Sequence, residues 1–221
     1  MKDALNKLSN QAAPGPDGLP PSVYKYGGHK LIDFLVKIFR RSLDETEVPL
    51  SLREAMISPI FKGGDHERPA SYRPIALTSH LSKILERVLR EQLVNFLEEK
   101  GFLDNSQHGS RPGRSTLTQL LVQQEYILDQ LIQGCNVDAI YLDYEKAYDK
   151  VDLGLLAKKV KNAGIRGKMG AWLVQFTMGR RQRVRVGDTV SKWTDVKSSV
   201  PQGSCLGVYF FCSSLQTWAM T

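Results

Sequence analysis

The chain has 221 residues, enough to bury a sizeable core in one large domain or two small lobes. Its 42% hydrophobic and 24% charged residues are ordinary for a soluble globular protein and exclude a low-complexity or fibrous chain. The 30 Lys and Arg residues against 23 Asp and Glu give a net charge of +7, which by itself favours a polyanionic partner only slightly.

The cysteines and the N-terminus predict an intracellular protein, nuclear or cytoplasmic. The three cysteines form no C-x-x-C pair, so free or buried thiols in a reduced setting are expected. The N-terminal stretch MKDALNKLSN lacks the apolar core of a secretory signal. No uncharged apolar stretch is long enough to span a bilayer, so a membrane partner is not expected.

The first elements predicted are helices and one interrupted strand. A loop rich in Pro and Gly (13–22) precedes a short helix and then a longer one in KLIDFLVKIFRRSL (30–43). The stretch AMISPIFKGG (55–64) is typical of a strand that is broken by Pro59 and turned by its glycine pair.

Two strong helices come next. LSKILERVLREQLVNFLEEK (81–100) places its apolar residues on one stripe with charges opposite, and Gly101 is expected to end it. STLTQLLVQQEYILDQLI (115–132) has Ser115 in the position of an N-cap.

The second half of the chain mixes strands and helices. We expect a strand at 138–143, a helix at about 152–163 and a shorter helix in KMGAWLVQFTM (168–178). A hairpin should follow, made by QRVRVG (182–187) and SKWTDVKSSV (191–200). The order of elements, helix-rich first and mixed later, predicts an α+β fold of two lobes.

Asp143 stands at the end of the apolar run DAIYL, which is typical of a buried strand. A carboxylate in that position has lost part of its hydration and needs a cation or strong donors. Helix capping or pairing with a nearby lysine is an open alternative. Tyr148, five residues on, could lie against whatever Asp143 binds or could simply hold strand and helix together.

Lys62 and Arg73 face each other across a Gly-rich hairpin, an arrangement that could clamp a polyphosphate. They could equally be solvated surface charges. The turn SVPQGSCLG (199–207) exposes the amide of Gln202 and provides Ser204 as a possible cap.

The remaining basic groups form two clusters. Arg111 and Arg114 flank a Pro-Gly turn just before a helix N-terminus, a position that favours anions. Arg180, Arg181, Arg183 and Arg185 form a second cluster on the predicted hairpin, and in RVRV (183–186) the arginines share one face of the strand. That face could follow a sugar-phosphate backbone, or it could be a charged edge that discourages aggregation.

Taken in order, these motifs resemble the reverse transcriptase domain of non-long-terminal-repeat, LINE-like retrotransposons. The resemblance is carried by PGPDGLP, ISPIFKGGD, SYRPIALTSHLSKILERVL, QHGSRPGRST, YLDYEKAYDKVD, GRRQRVRVG and SSVPQGSCLG, and it extends from about residue 9 to residue 207. It implies an RNA-directed DNA polymerase with a right-hand fold of fingers, palm and thumb. Residues 1–135 would form mainly the fingers with palm-packing helices, and 136–221 a partial palm with a hairpin returning toward the fingers.

The resemblance also implies substrates, cofactors and residue roles. The partners would be an RNA template, a DNA primer and deoxynucleoside triphosphates, with two Mg²⁺ ions at the complete site. Asp143 matches the catalytic, metal-binding aspartate, with the backbone carbonyl of Tyr144 as a further ligand. The incoming nucleotide would be held by Lys62, Arg73, Tyr148, Gln202 and Gly203, of which Tyr148 excludes a 2′-hydroxyl. Nucleic-acid contacts would come from Arg111, Arg114, Arg181, Arg183 and Arg185.

One departure from the family pattern changes the expected activity. The family carries a second acidic pair after the Pro-Gln-Gly turn, but residues 208–221 contain no Asp or Glu. One carboxylate cannot balance two divalent cations. We therefore expect a truncated polymerase domain without a thumb that does not polymerise alone. The alternatives are a non-catalytic RNA- or DNA-binding remnant and a decayed product that folds poorly. Asp149 is expected to order its turn, and Asp152 to cap the next helix.

Overall fold

The computed structural model describes residues 1–143, 145, 147–200, 204 and 206. The helices within these residues are Lys2–Asn6 (α1), Pro21–Tyr26 (α2), Gly28–Asp44 (α3), His80–Glu99 (α4), Thr116–Ile132 (α5), Leu153–Asn162 (α6) and Gly167–Thr177 (α7). The strands are Glu54–Phe61 (β1), Tyr72–Thr78 (β2), Arg181–Val186 (β3), Thr189–Val190 (β4) and Thr194–Asp195 (β5). This is the predicted α+β content, with every long helix near its expected place.

The strands form one mixed sheet in the order β2-β1-β3-β4, with β5 also paired to β3. β1 runs antiparallel to β2 and parallel to β3. The predicted hairpin around β3 is confirmed, because both β4 and β5 pair with β3 in antiparallel fashion.

β1 continues through Pro59, so the predicted break in this strand is wrong. Pro59 lies opposite Pro74 of β2. The Lys62 amide donates to the Ser71 carbonyl at 2.9 Å, so these two residues form a hydrogen-bonded pair. Hydrogen-bonded and non-hydrogen-bonded pairs alternate along an antiparallel ladder, so Pro59 and Pro74, three pairs away, form a non-hydrogen-bonded pair. Neither proline therefore removes a bond between β1 and β2. The pairing of β1 with β3 extends only to Ile57, so Pro59 removes no bond there either.

α4 lies at the centre of the main core. Nine of its residues are buried, and the Ser79 hydroxyl caps its start by accepting from the Ser82 amide at 3.1 Å. Gly101, with φ of +59°, follows its C-terminal end as predicted. Around α4 the core collects apolar side chains from Ala4 to Leu206, that is, from both predicted lobes.

α7 and α3 are joined through a buried tryptophan. Trp172 has no exposed surface and stacks on Phe176 with the ring centroids 5.1 Å apart. Its indole Nε1 donates to the Ser42 hydroxyl at 2.9 Å, so the polar atom of this core side chain is satisfied.

The strand predicted at 138–143 is not present. Residues 135–143 form no helix or strand, and Ile140 and Leu142 are each 84% exposed. A strand requires a partner for its backbone amides and carbonyls, and no described strand pairs with this segment. The segment is as apolar as its sequence indicates, but among the described residues no neighbouring strand pairs with it.

α5 precedes this segment and has no buried residue. Its Ser115 cap is confirmed, because the Ser115 and Thr118 side chains form a reciprocal capping box. None of the helices in the described part of the chain is long and apolar enough to cross a membrane.

Candidate functional site

Two of the motifs picked out in the sequence are joined by backbone hydrogen bonds. The Val200 amide donates to the Tyr148 carbonyl, and the Ser199 amide donates to the Val151 carbonyl, both at 3.1 Å. Ser199 and Val200, which precede Pro201-Gln202-Gly203 in the sequence, are therefore fixed against the segment that follows Asp143. Gln202 and Gly203 themselves, like Tyr144, lie outside the described residues.

Asp149 lies where two clefts meet. Its backbone carbonyl accepts from the Ser198 hydroxyl at 3.0 Å, which anchors Asp149 to the segment that follows β5. One cleft, of about 360 Å³, lies over the sheet and is lined by Ala55, Ile57, Pro74, Ala76, Asp149, Arg180, Arg181, Gln182, Val184, Val196, Ser198 and Ser199. The sequence predicted only a turn-ordering role for Asp149, and its position in both clefts was missed.

The second cleft brings together the two cations of the predicted clamp. It has a volume of about 420 Å³ and is lined by Lys62, Pro69, Ala70, Tyr72, Arg73, Pro74 and Asp149. Lys62 and Arg73 are both exposed, and Asp149 is half-buried. The hairpin of β1 and β2 thus places two exposed cationic side chains at the same cleft as Asp149, and the two cations are what an anion clamp requires.

Arg183 and Arg185 of β3 lie on the opposite face of the sheet from the first cleft, whereas Arg181, at the start of the strand, is among the residues that line it. Cleft-lining Val184 is in register with Ile57, whereas Arg183 is in register with Met56, and paired residues share a face. The Arg183 guanidinium lies 4.5 Å from the centre of the Trp193 ring, a cation–π contact. The predicted sharing of one face by the arginines is consistent with this register.

Arg181 and Arg185 differ in their surroundings. Arg181 forms an ion pair with Glu54 at 2.5 Å and lies 5.5 Å from the Trp193 ring centre. Arg185 is exposed on the end of β3. Contact of these arginines with nucleic acid stays a prediction, and for Arg183 and Arg185 it would use the face away from the first cleft.

Arg111 braces two segments of the fold. Its Nε and Nη2 donate to the two carboxylate oxygens of Glu98 at 2.8 and 2.5 Å, and its Nη1 donates to the Asp104 carbonyl at 2.6 Å. These bonds lower the pKa of the Glu98 carboxyl and raise that of Arg111. Arg114 donates to the carbonyl of Asn105. Both guanidinium groups are engaged within the fold, and their predicted contact with nucleic acid remains a prediction.

Asp143 and Tyr148 have different surroundings. Asp143 is exposed, so the expectation of a partly dehydrated carboxylate at a strand exit is wrong. Tyr148 is half-buried and packs on the main core, in keeping with the alternative in which it holds neighbouring elements together. Among the described residues, no group of three or more His, Cys, Asp or Glu side chains could hold a metal ion.

A buried polar cluster on α4 was not predicted. Glu86 has no exposed surface and accepts hydrogen bonds from Ser82 and Ser204. The helical pattern of the sequence places Glu86 among the charges opposite the apolar stripe. The missed signal is spacing, because Ser82, Glu86 and Leu89 follow one another at intervals of four and three residues and share a helix face.

Comparison with known proteins identifies the family. The family model described as "Reverse transcriptase (RNA-dependent DNA polymerase)" matches residues 60–219. The chain belongs to this family. The reverse transcriptase match begins at the end of β1, and therefore includes Lys62, Arg73, Asp143 and Asp149.

Similar proteins are reverse transcriptases of retrotransposons. The chain is 32% identical over 213 residues to a probable RNA-directed DNA polymerase from transposon X-element of Drosophila melanogaster, with 96% of the chain and 23% of the relative covered. It is 32% identical over 206 residues to a similar protein from transposon BS of the same fly, with 93% and 23% covered. A Pol polyprotein from the type-1 retrotransposable element R1 of Bradysia coprophila is 26% identical over 210 residues, with 94% and 20% covered.

These relatives are much longer proteins than the chain. It spans about 23% of the length of the first two relatives. What is common to all of them is a reverse transcriptase domain from a non-long-terminal-repeat element, which agrees with the family predicted from the motifs.

Proposed function

We propose that the chain forms the fingers and part of the palm of an RNA-directed DNA polymerase encoded by a non-long-terminal-repeat retrotransposon. Residues 1–135 would supply mainly the fingers and 136–221 a partial palm. The observation that carries the proposal is the shared cleft of Lys62, Arg73 and Asp149. It joins the hairpin of β1 and β2 to the segment after Asp143, within the part of the chain that matches the family model.

The chemistry of this cleft suits the triphosphate of an incoming deoxynucleotide. Charge-assisted hydrogen bonds from Lys and Arg to phosphate oxygens are about twice as strong as neutral ones. Lys62 lies after β1, and Arg73 is in β2 on the other side of the hairpin. Closure of the hairpin on a triphosphate would therefore bring both cations to the phosphates. The partners implied are an RNA template and a DNA primer, and the proposed setting is intracellular.

Tyr148 and the Pro-Gln-Gly turn complete the proposed nucleotide site. The hydrogen bond from Val200 to Tyr148 links the two at the backbone, which supports a common site for the sugar and the base. In this proposal Tyr148 lies under the sugar, while Gln202 and Gly203 face the new base pair. A rigid ring rejects one extra hydroxyl by steric clash.

The two Mg²⁺ ions implied by the family are not fitted by the described residues alone. Carboxylate oxygen is a ligand that Mg²⁺ accepts, and Asp143 is exposed and accessible. However, these residues provide no set of three acidic, His or Cys side chains. We propose Asp143, with the carbonyl of Tyr144, as one contributor to a metal site that needs further ligands. Purified chain should accordingly fail to extend a primer on poly(rA) with dTTP and Mg²⁺.

Binding of dTTP tests the proposed cleft without relying on turnover. Titration of the 221-residue chain by microscale thermophoresis, with a poly(rA)/oligo(dT) duplex present, should give saturable binding. Lys62→Ala and Arg73→Ala should each weaken it about tenfold, the equivalent of one charge-assisted contact. Arg68→Ala is the matched control, because Arg68 lies in the same turn and pairs with Asp65 at 3.4 Å instead of lining the cleft. Equal affinity in all four proteins would overturn the proposal.

A further inference from the structure

Glu86 is a carboxylate enclosed in the middle of α4. Its side chain has no exposed surface. Oε1 accepts from the Ser82 hydroxyl at 3.2 Å, and the same hydroxyl also donates to the Leu52 carbonyl at 3.1 Å. A buried carboxylate is retained only where donors replace its lost water, because an isolated one costs several kcal/mol.

The other oxygen of Glu86 reaches across to the far end of the chain. Oε2 accepts from the Ser204 hydroxyl at 2.5 Å and from the Leu206 amide at 3.3 Å. Ser204 directly follows the Pro-Gln-Gly sequence, and Leu206 lies two residues further on.

The counter-charge of this site is also buried. Arg180 is 3% exposed, its Nη1 donates to the Phe176 carbonyl at 3.3 Å, and its Nη2 has no hydrogen-bond partner among the described residues. Burial lowers the pKa of Arg180 to about 10, and the nearby Arg53 lowers it as well, while the negative charge of Glu86 acts in the opposite direction. Arg180 therefore remains charged at neutral pH.

Residues on both sides of the Pro-Gln-Gly sequence are thus held by hydrogen bonds. Before it, Val200 bonds to the carbonyl of Tyr148. After it, Ser204 and Leu206 bond to Glu86. The first bond ties Val200 to the segment beside the cleft, and the others tie Ser204 and Leu206 to the central core helix.

We propose that Glu86 is a positioning residue for nucleotide binding, which acts by holding Ser204 and Leu206, two residues that follow Gln202 and Gly203 in the sequence. The inference rests on the proposed function, in which Gln202 and Gly203 face the new base pair. Glu86 does not touch the nucleotide. Its loss should release Ser204 and Leu206 while the proposed triphosphate clamp of Lys62 and Arg73 stays intact.

The test compares dTTP affinity in the full 221-residue chain with a poly(rA)/oligo(dT) duplex. Glu86→Ala should weaken binding about tenfold and Ser204→Ala about threefold. Glu86→Gln keeps an acceptor oxygen and should recover most of the loss. Glu91→Ala, an exposed acid on the same helix, is the control and should bind like the unmodified chain. The near-ultraviolet signal of Trp172, in the core against α3, reports whether each variant remains folded.

A second measurement separates positioning from general packing. An inorganic tripolyphosphate probe occupies only the cationic clamp and lacks a base. Its affinity should be unchanged in folded Glu86→Ala and Ser204→Ala and reduced in Lys62→Ala. If Glu86→Ala does not fold, Ser204→Ala decides the question, because it removes the hydrogen bond from the Ser204 hydroxyl to Glu86 and leaves α4 intact.

The outcomes for the two proposals differ. Should Lys62→Ala bind dTTP as well as the unmodified chain, the proposed nucleotide cleft is wrong. Should Lys62→Ala lose affinity while folded Ser204→Ala and Glu86→Ala keep theirs, only the role of Glu86 is wrong. Equal losses of dTTP and tripolyphosphate in the Glu86 variants would also overturn it, since the effect would then be on the fold as a whole.

Discussion

α4 and α5 are similar in sequence design but differ in what surrounds them. Each is a long helix with a serine at its N-cap, Ser79 and Ser115 respectively. α4 buries nine residues, and α5 buries none of its 17. The exposed side chains of α5 include Leu117, Leu120, Leu121, Val122, Tyr126, Leu128, Leu131 and Ile132.

The difference shows that local signals fix a helix but not its packing. Caps and periodic apolar residues are enough to define where α5 begins and ends. Burial requires a partner surface, and of these two helices only α4 has one among the described residues. The exposed segment that carries Asp143 follows α5, and Gln123 of α5 donates to the Tyr141 hydroxyl at 2.9 Å. The region expected to hold the metal is thus the less packed of the two.

Truncation of one leucine in each helix should give the largest contrast. Leu85→Ala on α4 removes a side chain that is 1% exposed and should lower the free energy of unfolding by about 3 kcal/mol. Leu121→Ala on α5, 54% exposed, should change it by less than about 0.5 kcal/mol. Urea unfolding followed by tryptophan fluorescence measures both. Similar losses would mean that α5 is packed against other residues in solution.

Arg111 lies between α4 and α5 in the chain, and its removal should give the next-largest loss in the free energy of unfolding. The Arg111 side chain is 7% exposed and its partner Glu98 is 31% exposed. Arg111→Ala leaves a carboxylate and several carbonyls without a donor and should cost about 2 kcal/mol of stability. Arg114→Ala, which loses contacts to Asn105 only, should cost less than about 0.5 kcal/mol.

RNA filter binding of the same two variants distinguishes a brace from a nucleic-acid contact. At a temperature where both are folded, a bracing Arg111 predicts unchanged affinity and an unchanged salt dependence. A direct phosphate contact would instead lower the slope of log K against log salt by about 1.

Removal of the serine caps should destabilise α5 locally but α4 together with the whole core. Ser115→Ala should cost α5 about 1 kcal/mol, seen as faster amide hydrogen exchange within α5 and an unchanged global unfolding midpoint. Ser79→Ala should cost a similar amount but shift the global midpoint, because α4 unfolds only with the core. A global shift from Ser115→Ala would contradict the independence of α5.

A small dependence on pH is expected from the start of α4. Burial lowers the pKa of His80, and Lys83 lowers it further. Because the unfolded chain binds the proton more readily, the contribution of neutral His80 is present above a pH of about 6.5 and is lost as the pH falls. The melting temperature should decrease between pH 7.5 and pH 5.5. His80→Gln should reduce that decrease, and His29→Gln, on exposed surface, should not.

Sequence patterns predicted the helices well because their information is local. The stop at Gly101 and the caps at Ser115 and Asp152 each depend on residues within one turn, and the Asp152 carboxylate accepts from the Leu155 amide at 2.8 Å as expected. The strand at 138–143 could not be settled in this way, because strand formation depends on a partner elsewhere in the chain.

The candidate site was only partly predictable for the same reason. Lys62 and Arg73 were paired correctly, since they belong to one hairpin. That Asp149 joins them depends on contacts between distant segments, and the burial of Glu86 depends on Ser204, 118 residues away. For Arg183 and Arg185 of β3, the alternation of side chains predicted that they share a face but not that this face points away from the first cleft.

The parallel pairing of β1 with β3 also determines when the first cleft can be assembled. Glu54 and Arg181 are partners in this pairing and are 127 residues apart. The hairpin of β1 and β2 can close early during synthesis, since its strands are adjacent in the chain. The first cleft is lined in part by Gln182 and Val184, so it cannot form until β3 has left the ribosome. Closing so long a loop is also entropically slow. A nascent chain therefore carries the hairpin proposed to clamp phosphate well before it possesses the cleft over the sheet.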